Sequence, residues 1–191
     1  MTGTSNTPKM DFKFALVTTG GTIAGLKTDE RHYQSAELKG QAFAAQFGLN
    51  QNKPSDPKAT LAGQVEWVVY SPYSIGSQNL SWKEMFTLRE QLIQLNSDAS
   101  VEGILVTHGT DTMEDMLFFL HLTMPALNKP ILFTGSMLTS DSPDSDAPKN
   151  IFDALAFLKT LASYSLPRLG LVMNGKYTPA RHVQKRSTTG V

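Results

Sequence analysis

Residues 103–122 of this chain read GILVTHGTDTMEDMLFFLHL, an apolar run, a short polar segment and a longer, mostly apolar stretch. The first run is typical of a buried strand, and the last stretch is long enough for a helix. Residues 108–112 between them carry three oxygen-bearing side chains and an imidazole, although such a connection needs only a glycine and one capping residue. Asp111 or Thr110 can cap the helix, which leaves the other polar side chains unexplained. His108 on its own is more often structural than catalytic.

The same alternation of short apolar runs and helical stretches continues along the whole chain. Strands are predicted over residues 12–19, 65–70, 103–108, 130–135 and 168–174. Helices are predicted over residues 35–47, from Ser81 onward, over 112–124 and over 150–162. The second to fifth strands are almost continuously apolar, which predicts a sheet covered on both faces. We therefore expect a three-layer α/β domain, Rossmann-like or flavodoxin-like, with a mainly parallel sheet in which residues 14–18 and 103–107 are central neighbours.

Several local signals mark where these elements end. Gly48 follows the first helical stretch at the position of a C-terminal cap, and Ser81 with Glu84 has the spacing of a capping box. Residues 50–63 and 137–149 are too rich in polar residues and proline to hold a regular element. We expect one domain over residues 1–191, with residues 1–11 disordered and residues 185–191 forming a polar tail.

The composition excludes several classes of function. The chain has 191 residues, with 17 basic and 17 acidic side chains, so its formal net charge is zero and a nucleic-acid partner is disfavoured. Cysteine is absent, which removes disulfides, thiolate catalysis and thiolate zinc sites. The N-terminal segment is polar and no apolar run has the length of a membrane span, so a cytoplasmic protein with no membrane partner is expected. Absence of cysteine is also compatible with secretion.

A second polar loop follows the first predicted strand. Residues 18–25 read TTGGTIAG, and paired glycines allow the backbone to approach a ligand closely. The glycine spacing is not that of a dinucleotide-binding loop, and the lysine of a P-loop is missing, so a nucleotide site is disfavoured. Taken alone, the segment is equally well explained as a glycine-rich turn whose threonine hydroxyls cap backbone groups.

The two polar loops together resemble the signature motifs of the bacterial-type L-asparaginase family. Residues 19–25 match its TGGTIAG motif without a change, and residues 108–114 match its HGTDTMEE motif, with Asp115 in place of the last glutamate. Further segments of the chain also resemble segments of this family, at residues 75–78, 129–130, 135–137, 146–150, 172–175 and 183–185. The matches run from about residue 14 to residue 189 and cover the N-terminal domain of that family.

The resemblance implies an amidohydrolase that converts asparagine, and possibly glutamine, to the acid and ammonia without a cofactor or a metal. It implies that Thr22 is the primary nucleophile, paired with Tyr33 on a mobile lid over residues 26–36. An ordinary half-buried aromatic is an equally good explanation of Tyr33. A second set would comprise Thr110, Asp111 and Lys185 as a Thr–Lys–Asp triad. The residues that the resemblance assigns to substrate binding are Gly21, Ser77, Gln78, Gly109, Thr110, Asp111 and Ser136.

Several alternatives stay open on the sequence alone. Lys176 or Arg186 can replace Lys185 under a small shift of alignment, although the pattern V-x-K-x-x-T-T favours Lys185. Full-length members of the family add a C-terminal domain that closes the site of a neighbouring subunit. The sequence is thus expected to represent a short form that completes its site in a homo-oligomer, a dimer or tetramer, or a truncated copy. Leu138 stands where many members have arginine.

Two other functions also fit the pattern. One is a non-catalytic module that binds an amino acid or amide. The other is a related amidase for another amide substrate, including amidotransferase subunits that act on charged tRNA, against which the zero net charge counts. Intact Thr22, Thr110, Asp111 and Lys185 favour the enzyme, because binding alone does not require both threonines and the lysine.

Overall fold

The computed structural model describes residues 12–27, 33–34, 36–49, 65–166 and 168–186. The expectations for residues 1–11 and 50–63, and for the tail beyond residue 186, lie outside the described residues. The side chain of Tyr33 also lies outside them. In the described part of the chain, no helix is long and apolar enough to cross a membrane.

The described segments alternate between strands and helices, as the sequence predicts. The strands are β1 Phe12–Thr18, β2 Leu26–Lys27, β3 Tyr33–Gln34, β4 Val65–Tyr70, β5 Gly103–Thr107, β6 Ile131–Thr134, β7 Leu169–Met173 and β8 Lys176–Pro179. The helices are α1 Gly40–Gln46, α2 Trp82–Ser97, α3 Met113–Thr123 and α4 Ala147–Ser163. Single turns of 3-10 helix cover Thr22–Ala24, Ser77–Asn79 and Ala180–His182.

Six of these strands form one sheet in the order β4-β1-β5-β6-β7-β8. Each neighbouring pair from β4 to β7 is parallel, and β8 runs antiparallel to β7. When the five parallel strands are renumbered by their position in the chain, their order across the sheet is 2-1-3-4-5, which is that of a flavodoxin-like sheet. The switch point lies between β1 and β5. The prediction that residues 14–18 and 103–107 are central neighbours is confirmed, with Phe14 opposite Gly103 and Thr18 opposite Thr107.

Two hydrophobic clusters cover the two faces of this sheet. Alternate side chains of β1, such as Phe14 and Leu16, pack with Phe43 of α1 and Leu155 of α4. The side chains between them point the other way and pack with α2 and α3 in the second cluster. The strands β5 and β6 are buried along their whole length, because helices cover them on both faces. The three-layer α/β prediction is therefore confirmed.

The predicted burial is wrong for the outer strands. Only Val65 of β4 is fully buried, because β4 lies at the edge of the sheet. In β7 buried and half-buried residues alternate, with Leu169 and Leu171 only partly covered on the face that carries α2 and α3. Apolar composition alone does not distinguish a strand covered twice from one covered on a single face.

Two helices begin at residues that differ from the prediction. The first starts at Gly40 rather than residue 35, because Ala36 has a φ of 69°, which a right-handed helix cannot include. The fourth starts at Ala147 rather than residue 150, with Pro148 in its first turn, where a missing N–H costs nothing. Both helices nevertheless end within one residue of the predicted position, and Gly48 has the positive φ of a C-terminal cap.

A hairpin that the sequence analysis missed follows β7. Asn174 and Gly175 both have positive φ values, 52° and 71°, and join β7 to the antiparallel strand β8. This Asn-Gly pair is the strongest short-range signal for a two-residue hairpin turn, so the information was present in the sequence. The hairpin directs the chain back along the sheet and leads it toward residues 180–186.

Candidate active site

The two polar loops leave neighbouring strands at the switch point of the sheet, where open α/β sheets bind their ligands. Residues 19–25 follow β1, and residues 108–112 follow β5. Thr19 joins the strand ends, because both its backbone N–H and its hydroxyl donate to the carbonyl oxygen of Thr107, over 3.2 and 2.9 Å. The strand order thus places the two sequence motifs side by side.

Glycines allow three loops to meet here through their backbones. Gly21 has a φ of 78°, and a Cβ atom added to it would lie 2.4 Å from the Cα atom of Gly109. A Cβ atom on Gly109 would lie 2.4 Å from the Oγ atom of Ser77. Since a Cβ atom essentially never lies within 3.0 Å of a non-bonded heavy atom, both positions require glycine. The loops after β1, β4 and β5 are therefore packed into one crevice.

Ser77 connects the loop after β4 with the loop after β5. Its hydroxyl accepts the backbone N–H of Asp111 at 3.3 Å, and its carbonyl oxygen accepts the hydroxyl of Thr112 at 3.0 Å. The side chain of Ser77 is buried, whereas Gln78 beside it is exposed. The predicted substrate-binding serine therefore also holds the backbone of Asp111.

Lys185 reaches the same crevice from the far end of the chain. Its Nζ atom lies 3.1 Å from the Oγ1 atom of Thr110 and 2.6 Å from the Oδ1 atom of Asp111. The lysine side chain is 22% exposed and the aspartate side chain 56% exposed, so the pair sits at the mouth of the crevice. The structure thus brings the predicted Thr–Lys–Asp group together, while Lys176 lies in β8 and is exposed.

The other predicted site residues have different local environments. Thr22 begins the 3-10 turn after Gly21 and is half-buried. Ser136 is buried, and its hydroxyl donates to the carbonyl oxygen of Leu138 at 2.6 Å. Tyr33 lies in β3, which pairs with β2 as the two ends of the predicted lid. Mobility of this segment stays a prediction, since residues 28–32 and 35 lie outside the described part of the chain.

Two residues that the sequence analysis did not assign support Thr110 and Lys185. Gly135 lies against the crevice, because a Cβ atom added to it would come within 2.7 Å of the carbonyl oxygen of His108 and 3.2 Å of the Thr110 methyl group. Glu114 accepts the backbone N–H of Lys185. Thr110, Glu114 and Lys185 line one cavity. The pattern Lys-Pro…Gly-Ser-Met pointed to Gly135, but no sequence signal linked Glu114 to Lys185.

A partly buried polar network holds the loop that begins at Gly135. The side-chain amide of Asn150 donates to the carbonyl oxygen of Gly135 at 3.0 Å and to the Asp146 carboxylate at 2.9 Å. That carboxylate also accepts the backbone N–H groups of Met137 and Leu138, over 3.0 to 3.1 Å. Asp146 and Asn150 belong to the start of α4, so the proline-containing segment before the helix is anchored to the site.

His108 is fully enclosed beside the site. Its Nδ1 atom lies 2.8 Å from the carbonyl oxygen of Gly109, and burial lowers the pKa of the imidazole from 6.5 to about 4. A neutral imidazole whose Nδ1–H donates to Gly109 fits this contact. His108 thus supports the glycine that contacts Gly21 and Ser77, in keeping with the structural role that is more usual for a lone histidine.

We expect His108 to make the protein less stable in mild acid. As the pH falls from 6.5 to about 4, this histidine binds a proton in the unfolded chain but stays neutral in the folded chain. The free energy of unfolding therefore decreases over this range, by about 3 kcal/mol in total. Urea unfolding at pH 7.5 and 4.5 should show a smaller loss in His108→Asn than in the wild type. Substitution of the exposed His121 by Asn is the control, and equal losses in wild type and His108→Asn would contradict the expectation.

The fold and the site together define a class of protein. A flavodoxin-like sheet carries a lysine, a hydroxyl and a carboxylate in the crevice at its switch point, which is an arrangement for binding and converting a small polar molecule. The family described as Asparaginase, N-terminal, matches residues 13–191. The chain belongs to the asparaginase family.

Individual relatives agree with this assignment. The chain is 31% identical over 174 residues to L-asparaginase 2 of Bacillus subtilis (strain 168), which covers 91% of this chain and 44% of the relative. It is 31% identical over 173 residues to glutaminase-asparaginase of Acinetobacter glutaminasificans, covering 89% and 48%. The probable cytoplasmic L-asparaginase from Campylobacter jejuni superposes with a TM-score of 0.77 at 26% identity, covering 94% and 51%. The chain spans about half the length of these relatives.

Proposed function

We propose that this protein hydrolyses the side-chain amide of L-asparagine to aspartate and ammonia. The observation that carries the proposal is the placement of the Lys185 Nζ atom 3.1 Å from the Thr110 hydroxyl and 2.6 Å from the Asp111 carboxylate. Amide hydrolysis requires a nucleophile and a base within hydrogen-bond reach of it, and a hydroxyl, an amine and an orienting carboxylate supply that set. The relatives named L-asparaginase and glutaminase-asparaginase support the choice of amide.

In the proposed reaction a threonine oxygen attacks the amide carbon of the substrate. The hydroxyl proton passes to a base and from the base to the amide nitrogen, the C–N bond breaks and ammonia leaves, and water then hydrolyses the ester that joins substrate and enzyme. Thr22 with Tyr33 would make the first attack. Lys185 would accept the proton of the Thr110 hydroxyl, and Asp111 would stabilise the ammonium group that forms on Lys185. No cofactor or metal takes part in these steps.

Substrate recognition is proposed to use the polar groups at the mouth of the crevice. Ser77 and Gln78 would bind the charged end of the amino acid, with the exposed carboxylate of Asp111 facing its ammonium group. The backbones of Gly21 and Gly109 pack against each other and against Ser77, which would hold these groups close together in the crevice. Ser136 would contribute through its loop rather than directly, since its hydroxyl already donates to Leu138.

An ammonia-release assay tests this function. Purified protein is incubated with L-asparagine and with L-glutamine, and thermal unfolding is followed in parallel with and without L-aspartate. Ammonia from asparagine supports the proposal, and the ratio to glutamine gives the preference. Thermal stabilisation by aspartate without ammonia from either amide would instead identify a binding module. Ammonia from another amide alone would identify a related amidase.

We also propose that the active form is a homo-oligomer, a dimer or tetramer. The side chain of Asp111 is 56% exposed, so one chain leaves part of the proposed site open to water. Light scattering coupled to size exclusion should therefore give at least twice the chain mass in the active fraction. A strict monomer with full amidase activity would overturn this expectation.

A cytoplasmic location is the last part of the proposal. It is supported by the C. jejuni neighbour, which is described as a probable cytoplasmic enzyme. Cell fractionation followed by immunoblotting tests it, and recovery of the protein outside the cytoplasmic fraction would contradict it.

A further inference from the structure

Lys185 is held at its backbone as well as at its side chain. Its backbone N–H donates to the Oε2 atom of Glu114 at 2.6 Å, a short bond to a charged acceptor. Glu114 lies in the first turn of α3, three residues after Asp111, which accepts a hydrogen bond from the other end of the same lysine. The segment 110–114 therefore contacts both ends of Lys185.

The chain around Lys185 has little regular structure of its own. The 3-10 turn Ala180–His182 ends just before it, and residues 183–186 belong to no helix or strand. Val183 packs partly into the cluster under α2 and α3, but Gln184 and Arg186 are exposed. A lysine side chain has four rotatable bonds, so the position of its nitrogen depends on where the backbone is fixed. Glu114 supplies such a fixed point from a helix.

We propose that Glu114 is a positioning residue for catalysis, which sets the backbone of Lys185 so that its amine meets Thr110. This inference rests on the proposed function. Glu114 need not touch the substrate, since its contact is with the lysine backbone. Its role depends on the reach of its side chain, because the acceptor oxygen must extend from α3 to the 183–186 segment.

The rival explanation of Glu114 is that its charge only stabilises helix α3. Acidic residues in the first turn stabilise a helix through its dipole, and both Glu114 and Asp115 occupy that turn of α3. Asp115 is exposed whereas Glu114 is half-buried. Under the helical explanation the charge at position 114 matters and the reach does not. Under the positioning explanation the reach matters more than the charge.

Two conservative variants separate these explanations. Glu114→Gln keeps the length and an acceptor oxygen but loses the charge, so most of kcat for L-asparagine should survive. Glu114→Asp keeps the charge but is one methylene shorter, so kcat should fall roughly 10-fold to 100-fold with KM little changed, as expected for a misplaced catalytic group. Asp115→Ala is the control for the helix dipole and should leave kcat as in the wild type. Glu114→Asp with wild-type kcat would overturn the proposal, as would an equal fall in Glu114→Gln.

A second measurement does not depend on activity. Hydrogen–deuterium exchange of the peptide that spans residues 183–186 should accelerate in Glu114→Asp and stay as in the wild type in Asp115→Ala. Unchanged exchange in Glu114→Asp would show that the contact does not hold this segment. If the wild type releases no ammonia but Glu114→Asp still exchanges faster than the wild type, the proposed function is refuted. The contact between Glu114 and the Lys185 backbone is then still supported. If the wild type is active and Glu114→Asp has the same kcat and the same exchange as the wild type, only the positioning role is refuted.

Discussion

Replacing Thr110 by valine is expected to lower kcat for asparagine hydrolysis by about a thousandfold or more, and Thr22→Val should do the same. Valine keeps the methyl group and the approximate volume of threonine and removes only the hydroxyl. In Thr110 that hydroxyl lies 3.1 Å from the Lys185 amine, so its loss removes a group that acts in the transition state. The fall in kcat should therefore exceed any rise in KM. Steady-state ammonia release at several asparagine concentrations measures both constants.

Two controls make this result specific. Thr110→Ser keeps the hydroxyl and loses the methyl group that packs near Gly135, so it should retain far more activity than the valine variant. Ser77→Ala removes a hydrogen bond to the substrate's charged end, worth about 1.5–3 kcal/mol, and should appear mainly as a higher KM. Because Ser77 also accepts the N–H of Asp111, a smaller fall in kcat should accompany it. A Thr110→Val enzyme as fast as Thr110→Ser would disprove the role of the hydroxyl.

Lys185→Met is expected to match the threonine variants, with a loss of about a thousandfold in kcat. Methionine keeps an unbranched apolar side chain of similar length and removes the amine that contacts Thr110 and Asp111. The control is Lys176→Met, which changes the exposed lysine in β8 and should leave kcat unchanged. Wild-type turnover in Lys185→Met would show that another group is the base.

Stability should barely change in the same Lys185 variant. The partner carboxylate of Asp111 is 56% exposed, and ion pairs of that kind contribute at most about 1 kcal/mol to the free energy of unfolding. Urea unfolding of Lys185→Met should therefore superpose closely on that of the wild type. This separates a catalytic loss from a loss of folded protein, which the ammonia assay alone cannot do.

Local patterns in the sequence predicted most of the secondary structure. Apolar runs located β1, β5 and β6, and the capping signal at Ser81 placed the start of α2 at Trp82. The errors arose where a distant contact determines the local conformation. Ala36, for example, was predicted to be helical, but its N–H bonds the carbonyl oxygen of Gly21 and its φ is positive. Such a bond depends on a loop fifteen positions away, which periodicity does not report.

The site shows the same division. The sequence alone determined which residue types follow β1 and β5, because motif and strand are contiguous in the chain. It also singled out Lys185 through the family pattern around it. Only the tertiary structure decided that Lys185 meets Thr110, 75 positions away in the chain, and that the backbone N–H of Lys185 donates to Glu114. Strand order, the return path through β8 and the packing of the turn at residues 180–182 against α3 determine those contacts. Short-range sequence signals carry no record of that packing, because it depends on the complementarity of surfaces far apart in the chain.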